Sequence, residues 1–325
     1  MFLIVVFITV VKILYVSDDY GKEVCGIKWS LYQELIKRGL DVTWKHIYND
    51  TINKDIVEGI KACQYTHVFM AHSTINYVEC GLEEINDLGT VVFGFGFSDP
   101  TYWNLDKLQK YNFYATNSYR VYLESFEVHP CIYFPTCCDI SFHRKLDSEK
   151  DIDVLFYGIG NHHQHVPVNF RQQVIRELKD KLPDIKIAVY GNGWDDDIGA
   201  SPHMVGDEFI NVINRSKIGI DISQSGVALG RRNFEMAACG IPVIARPSDD
   251  IVRLFGDNIM IWETTDELIY KIRDLLNNQD KRLRIADQLY FYVRENHNIS
   301  NRVDDLLYFL NGHNSKYFST SISHS

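Results

Sequence analysis

The chain has 325 residues, 46% of them apolar and 13% aromatic, which is more than one ordinary core accommodates and suits two domains of about 150 residues each. Its formal net charge of −10 is shared evenly, with 14 Lys+Arg against 19 Asp+Glu in residues 1–150 and 19 against 24 in 151–325. No basic face is implied, which argues against nucleic-acid binding and against strong electrostatic attachment to anionic lipid.

The seven cysteines (Cys25, Cys63, Cys80, Cys131, Cys137, Cys138, Cys239) form no CxxC pair and are odd in number, so reduced core residues in a cytoplasmic protein are expected. Residues 1–11 are an apolar run too short to span a bilayer, with no basic n-region and no small-residue cleavage site. An anchor lying at a membrane surface, an extra strand and a start of translation near Val11 all remain open for them. Any membrane contact is expected through this run alone.

From residue 12 onward strand-like and helix-like runs alternate. The pattern predicts a strand over 12–17, a helix over 26–38 stopped by Gly39, a strand over 42–47 and a helix over 52–63. Strands follow at 66–71, 90–95, 112–116 and 131–134, and 135–148 reads as a polar linker. The second half repeats the plan, with strands over 153–157, 185–190, 218–222 and 259–262 and helices over 170–182, 208–215, 265–277, 281–295 and 301–310. Strands separated by helices of this length imply parallel sheets with right-handed crossovers. Two such doubly wound units place a ligand in the cleft outside the carboxyl ends of the strands.

The chemistry concentrates after strand 218–222. The loop Ser223-Gln224-Ser225-Gly226-Val227-Ala228-Leu229-Gly230 leads into Arg231-Arg232-Asn233-Phe234-Glu235-Met236-Ala237-Ala238-Cys239-Gly240, then Pro242 and another buried strand. Cations in a helix's first turn oppose the macrodipole, so two arginines there suggest an anion among them and the free N–H groups. Glycines let the backbone approach a phosphate closely, and Glu235, one turn inside, can accept hydrogen bonds from sugar hydroxyls. A plain helix–strand unit with its arginines in water is the alternative.

These residues also carry a resemblance. From Asp153 to Leu310 the chain resembles the group 1 glycosyltransferase domain of CgeB-like proteins, in the GT-B superfamily. The matching pieces are Asp153 to Gly158, Arg171, Val189 to Trp194, Ser216 to Ser223, Arg232 to Pro242, and Asn296-His297 with Arg302. Asp99-Pro100 and Cys138 to Phe142 are similar in the first half. The resemblance implies an α/β GT-B fold, two doubly wound Rossmann-like domains facing a central cleft. It implies an acceptor-side domain at 1–148, a nucleotide-sugar-binding domain at 149–295 and a helix at 296–311 packing back on the first domain; the polar composition of 312–325 predicts a disordered tail.

On the same grounds the activity expected is transfer of a sugar from a nucleotide-diphosphate donor to an unidentified acceptor, with retention, no cofactor and no divalent metal. Glu235 would hold the nucleotide ribose and Arg232 the diphosphate. Arg231, Ser225, Gly226, Gly230, Asn233, Gly158, Gly191 and Arg171 complete the expected donor site. Many retaining relatives carry a second Glu eight positions before the one matching Glu235, and here that position is Val227, which leaves the sugar open. Asp99 is the expected acceptor-side base, with His72 beside it, and Asp18, Asp19 and Gly21 are expected to face the acceptor.

Further readings are weaker. His162, His163 and His165 have no nearby carboxylate or cysteine to complete a metal set. Gly94-Phe95-Gly96 lacks the third glycine of a dinucleotide fingerprint. A nucleotide-sugar 2-epimerase of the same fold and a catalytically silent binding subunit stand as alternatives to transfer.

Overall fold

A computed structural model describes residues 11–17, 26–46, 52–63, 65–71, 85, 87–97, 99, 105–160, 169–223 and 229–312. Within them the chain forms two parallel sheets. The first contains β1 (Lys12–Ser17), β2 (Asp41–His46), β3 (His67–Ala71), β4 (Val91–Gly96), β5 (Phe113–Thr116) and β6 (Cys131–Tyr133) in the order β2-β1-β3-β4-β5-β6. The second contains β7 (Ile152–Tyr157), β8 (Ile187–Tyr190), β9 (Ser216–Asp221), β10 (Val243–Ala245) and β11 (Met260–Ile261) in the order β11-β10-β9-β7-β8. Strand order reverses between β1 and β3 in one sheet and between β7 and β9 in the other, which opens a crevice at each reversal.

Helices α1 (Ile27–Lys37), α2 (Ile52–Cys63), α3 (Leu105–Leu108) and α4 (Tyr119–Ser125) belong to the first half. The second half supplies α5 (Phe170–Lys181), α6 (Gly206–Asn214), α7 (Arg232–Ala238), α8 (Asp249–Phe255), α9 (Thr265–Asn277), α10 (Gln279–Asn296) and α11 (Ile299–Leu310). Parallel strands covered on both faces bury successive residues, and β1 does so from Ile13 to Ser17: Ile13 and Tyr15 pack with α1 and α11, Leu14 and Val16 into the opposite core. That opposite core continues without a break into one face of the second domain, through Tyr133, Cys138, Phe234 and Val293.

Three helices escape the sequence pattern: α3, a single turn, and α4 and α8. The latter two are only two turns long, too short for their apolar spacing to stand out, and each opens at a capping serine. Ser118 accepts from Val121 N at 3.5 Å and Ser248 from Ile251 N at 3.2 Å. The stretch 135–148, expected to be a polar linker, also differs, because residues 135–138 and His143 are buried. It is a strap between the domains rather than a tether in water.

Polar ties fasten this strap. Arg302, fully buried on α11, donates from Nε to the Pro135 carbonyl at 2.7 Å and from Nη2 to His297 Nδ1 at 2.9 Å. His297 is thereby fixed with its hydrogen on Nε2, which donates to Leu254 O at 3.1 Å. Cys138 N donates to His297 O and Ile299 N to Cys138 O, a short parallel bridge that carries the chain from the second domain back to the first. Helix α11 then lies on α1, where Ser300 and Arg38 both bond Glu34 and Arg38 pairs with Asp304.

A second tie crosses nearby. Asp250 at the start of α8 accepts from the Tyr133 hydroxyl and from Tyr119 N with the same oxygen, and burial raises its pKa from 3.8 to about 6. Because the folded value lies above the unfolded one, the ionised carboxylate costs stability above about pH 6, and the cost fades as pH falls toward 4. Asp250→Asn keeps an acceptor for both donors and removes the charge. It is expected to raise the unfolding free energy by on the order of 2 kcal/mol at pH 8, and by much less at pH 4.5. Urea unfolding at the two pH values measures this, and an equal gain at both would refute charge burial as the cause.

Candidate functional site

The reversal between β7 and β9 brings the ends of two buried strands together. Asp221, the last residue of β9, is fully buried and is the one charged side chain aimed inward from an otherwise apolar strand end. Its Oδ1 accepts from Arg232 Nη1 at 2.6 Å, and its Oδ2 from Ser223 Oγ at 2.6 Å and Asn233 Nδ2 at 3.1 Å. Burial pushes this carboxyl up, but the Arg232 charge and the three donors hold it below its usual value.

Arg232 also donates from Nε to the Tyr157 carbonyl at 2.9 Å, with its guanidinium over the Phe156 ring at 5.1 Å. It therefore spans the crevice from β9 to the end of β7. Gly158 is required where it does so: its φ is +147°, and a Cβ there would sit 2.6 Å from Arg232 Nη2. Two further guanidiniums lie within reach of Asp221. Arg171 holds the Ile222 and Ile159 carbonyls at 2.9 and 2.7 Å, and Arg246 holds the Ser223 carbonyl at 3.0 Å. Burial, together with the repulsion of Arg232, pulls Arg171 down to about 9. Three guanidiniums thus gather around Asp221, and this concentration of positive charge favours an anion beside them.

Helix α7 turns a second carboxylate toward the same place. Glu235 lies one turn after Arg231 and Arg232, is 5% exposed, and accepts from the Tyr157 hydroxyl at 2.8 Å through Oε2. Its Oε1 lies 3.7 Å from Arg231 Nε and 3.8 Å from His143 Nε2. Burial opposes ionisation, and the Arg231 charge, nearby Arg232 and the Tyr157 hydrogen bond outweigh it, so Glu235 stays a carboxylate. A cavity of about 180 Å³ opens here, lined by Tyr157, Gly158, His203, Met204, Val205, Phe209, Arg231, Arg232 and Glu235. Apolar walls with one fixed carboxylate and adjacent guanidiniums suit a ligand carrying a flat ring, hydroxyls and an anionic group.

The residues expected from the sequence fall into two groups. Glu235, Arg231, Arg232 and Gly158 line the cavity, whereas Gly230, Asn233 and Arg171 build the scaffold behind it. Arg232 is half of a buried ion pair rather than a free cation, and Arg231, in the cap position with its side chain 42% exposed, is the freer of the two. Gly191 has φ +128° and packs on Gly158, where a Cβ would lie 2.2 Å from the Gly158 oxygen; its part is to let the loops after β7 and β8 meet.

Asp99 lies inside the first domain, 2% exposed, and lines neither of the two cavities beside Glu235. Its carboxyl accepts from Thr116 Oγ1 at 2.6 Å and from the Tyr114 hydroxyl at 3.1 Å, and burial raises its pKa to about 7. Asp18, Asp19, Gly21, His72, Ser225, Gly226, Val227 and the histidines of 161–165 lie outside the described residues. Sequence reasoning did not single out Asp221, Tyr157, His143 or Phe209 as site residues. Asp221 has a legible signal, a lone charge in a buried strand. For His143 and Phe209 nothing in the pattern distinguishes them from ordinary loop and helix residues.

Two parallel-sheet Rossmann-like domains, each with its crevice at a strand reversal, make this a GT-B fold. Residues 171–308 match a family model described as glycosyl transferase-like. Among solved structures the chain is similar to the Anabaena protein HepE in complex with UDP-glucose, at 11% identity, TM-score 0.67, over 92% of this chain and 99% of that one. It is also similar to a glycosyltransferase from Rickettsia africae (12%, TM-score 0.66, 95% and 99%) and to sucrose-phosphate synthase from Thermosynechococcus elongatus (11%, TM-score 0.64, 93% and 99%). No curated protein matches the chain. Among the described residues no helix is long and apolar enough to cross a membrane.

The charge arrangement can be tested directly. Asp221→Asn takes the carboxylate away from Arg232, its ion-pair partner, and from nearby Arg171 and Arg246, and is expected to cost about 3 kcal/mol of stability. Millimolar pyrophosphate should recover part of that loss, because a bound anion replaces the carboxylate. Thermal unfolding with and without pyrophosphate checks it; a gain no larger in the variant than in the unaltered protein contradicts the arrangement.

Proposed function

We propose that the protein is a metal-independent, retaining glycosyltransferase of the CgeB-like group 1 type, moving a sugar from a nucleoside-diphosphate donor to an acceptor met by the first domain. The observation that carries this is the pairing of an ionised, Tyr157-held Glu235 with the Arg231 and Arg232 guanidiniums around one cavity at the β7/β9 reversal. Support also comes from the family-model match, which spans Arg171, Asp221, Arg231, Arg232 and Glu235, and from the UDP-glucose complex of the similar HepE structure.

In this reading the nucleoside enters the apolar end of the cavity beside His203, Val205 and Phe209, and Glu235 accepts the ribose hydroxyls. The diphosphate lies toward Arg231 and the open edge of Arg232 at Gly158. As the bond from anomeric carbon to phosphate oxygen breaks, negative charge gathers on the leaving diphosphate, and fixed guanidiniums stabilise it with little reorganisation. Losing one such contact typically costs on the order of 10²-fold in rate. Arg232 is a poor residue with which to test this, because Arg232→Ala strands the buried Asp221 carboxylate and threatens the fold.

The cleaner test is a thermal-shift panel of UDP-, GDP- and dTDP-sugars followed by Glu235→Ala and Arg231→Ala. A donor present at a hundredfold excess over its Kd adds about 2.7 kcal/mol of stability, and each variant should lose most of that gain while folding as before. A panel with no stabilising nucleotide sugar would refute the assignment. Product analysis then separates chemistries: free nucleoside diphosphate with a glycosylated acceptor is expected, whereas an isomerised nucleotide sugar would replace transfer by 2-epimerisation.

A further inference from the structure

The strongest arrangement without a role lies on the far side of Glu235 from the donor cavity. His143, 3% exposed in the strap between the domains, places Nδ1 3.0 Å from the Asp139 carbonyl oxygen. A carbonyl oxygen only accepts, so Nδ1 carries the hydrogen and the neutral ring keeps a bare lone pair on Nε2. That lone pair faces Glu235 Oε1 at 3.8 Å, while Oε2 is engaged by the Tyr157 hydroxyl. Two acceptors oppose each other in a buried place. Only a shared donor, or a proton on His143, makes that contact attractive.

Both groups line a second cavity of about 10 Å³, the room of one water, whose walls include Ser30, Asp139 and Arg231. Asp139 is itself fixed by Ser30 Oγ at 2.8 Å and Ser141 N at 2.9 Å, so the ring is anchored from the first domain. The charged groups around it are Glu235 and Arg231 from α7 and its cap, Asp139 in its own strap, and Arg294 of α10, which donates to the His143 carbonyl. The edges of Phe142 and Phe209 close the remainder. Burial pushes the imidazole below its ordinary value, opposed by Glu235, so it is neutral near pH 7.

We propose that His143 is a positioning residue for Glu235, operated by protonation. As a neutral imidazole it leaves Oε1 to a hydroxyl donor, and as an imidazolium it takes Oε1 for itself. This rests on Glu235 being the acceptor for the ribose hydroxyls of a bound nucleotide. Nucleotide binding then excludes a proton from His143, so affinity falls as pH drops, by up to about tenfold per unit once the ring titrates.

The probe is UDP, titrated calorimetrically into the full-length protein and into His143→Asn at pH 5 and pH 8. Asparagine can replace the Nδ1 donor toward Asp139 but has nothing at the Nε2 position. The unaltered protein is expected to weaken at least about fivefold more between pH 8 and pH 5 than the variant, in which only the phosphate of UDP still titrates. The same loss in both overturns the inference. Nitrogen-15 spectra of the histidine rings in the ligand-free protein give an independent reading: the Nδ1–H form is expected for His143 at pH 8, and the Nε2–H form overturns the switch whatever binds. No UDP binding at pH 8 together with the expected Nδ1–H form overturns the donor reading and, with it, the positioning role of His143.

Discussion

The ion pair between Asp221 and Arg232 is the constraint on which the site depends. A carboxylate with no exposed surface is tolerable only if a charge and further donors compensate it, and removing one partner of such a pair costs about 3–5 kcal/mol. Satisfying Asp221 fixes Arg232, and Arg232 in turn fixes the end of β7 by holding the Tyr157 carbonyl. From there the Tyr157 hydroxyl reaches Glu235, three residues beyond Arg232 on the same helix face. One buried charge thus sets two strand ends and one helix, and with them the wall of the cavity. The same logic explains Gly158, since any side chain there would displace the guanidinium.

How the domains meet follows a different principle. A continuous apolar core already joins them, but apolar contact alone does not select one register. The contacts that do select it are directional: Arg302 to Pro135 and His297, His297 to Leu254, and Tyr133 to Asp250. Each of these bonds needs a particular partner at a particular distance. Their concentration on the strap 131–138 and on α8 places the geometric definition of the cleft close to its floor. Glu235 and Arg231 therefore face walls whose position relative to the first domain is fixed by hydrogen bonds rather than by packing.

Much of the fold was legible because it rests on periodicity. Strands 12–17, 66–71 and 218–222 are short apolar runs between turn residues, and helix 265–277 carries a broad apolar stripe. Helices α4 and α8 were not, since two turns give too little pattern and only the capping serines announce them. In the site, Glu235 and Arg231 were legible because a cationic helix start is electrostatically conspicuous. The role of Arg232 was not, because its partner Asp221 lies eleven positions earlier across a crevice that only the strand order creates. Asp99 shows a different limit. Its expected role came from family position, and nothing in the sequence shows that the hydroxyls of Tyr114 and Thr116, from the neighbouring β5, enclose its carboxyl.

Arg231 couples the two sides of Glu235, because it lines both the donor cavity and the one-water cavity behind that carboxylate. Its side chain is partly exposed, with Nε close to Glu235 Oε1, the oxygen that also faces His143. A ligand phosphate drawing Arg231 outward would remove a positive neighbour from both Glu235 and His143. Loss of that neighbour makes a proton easier to place on the His143 ring, whereas a hydroxyl bound to Oε1 makes it harder. The two ends of a nucleotide therefore act on His143 in opposite senses. The ribose end must prevail for a bound nucleotide to hold Glu235, and its advantage is proximity: it competes for Oε1 itself, while the phosphate acts on the ring only through Arg231.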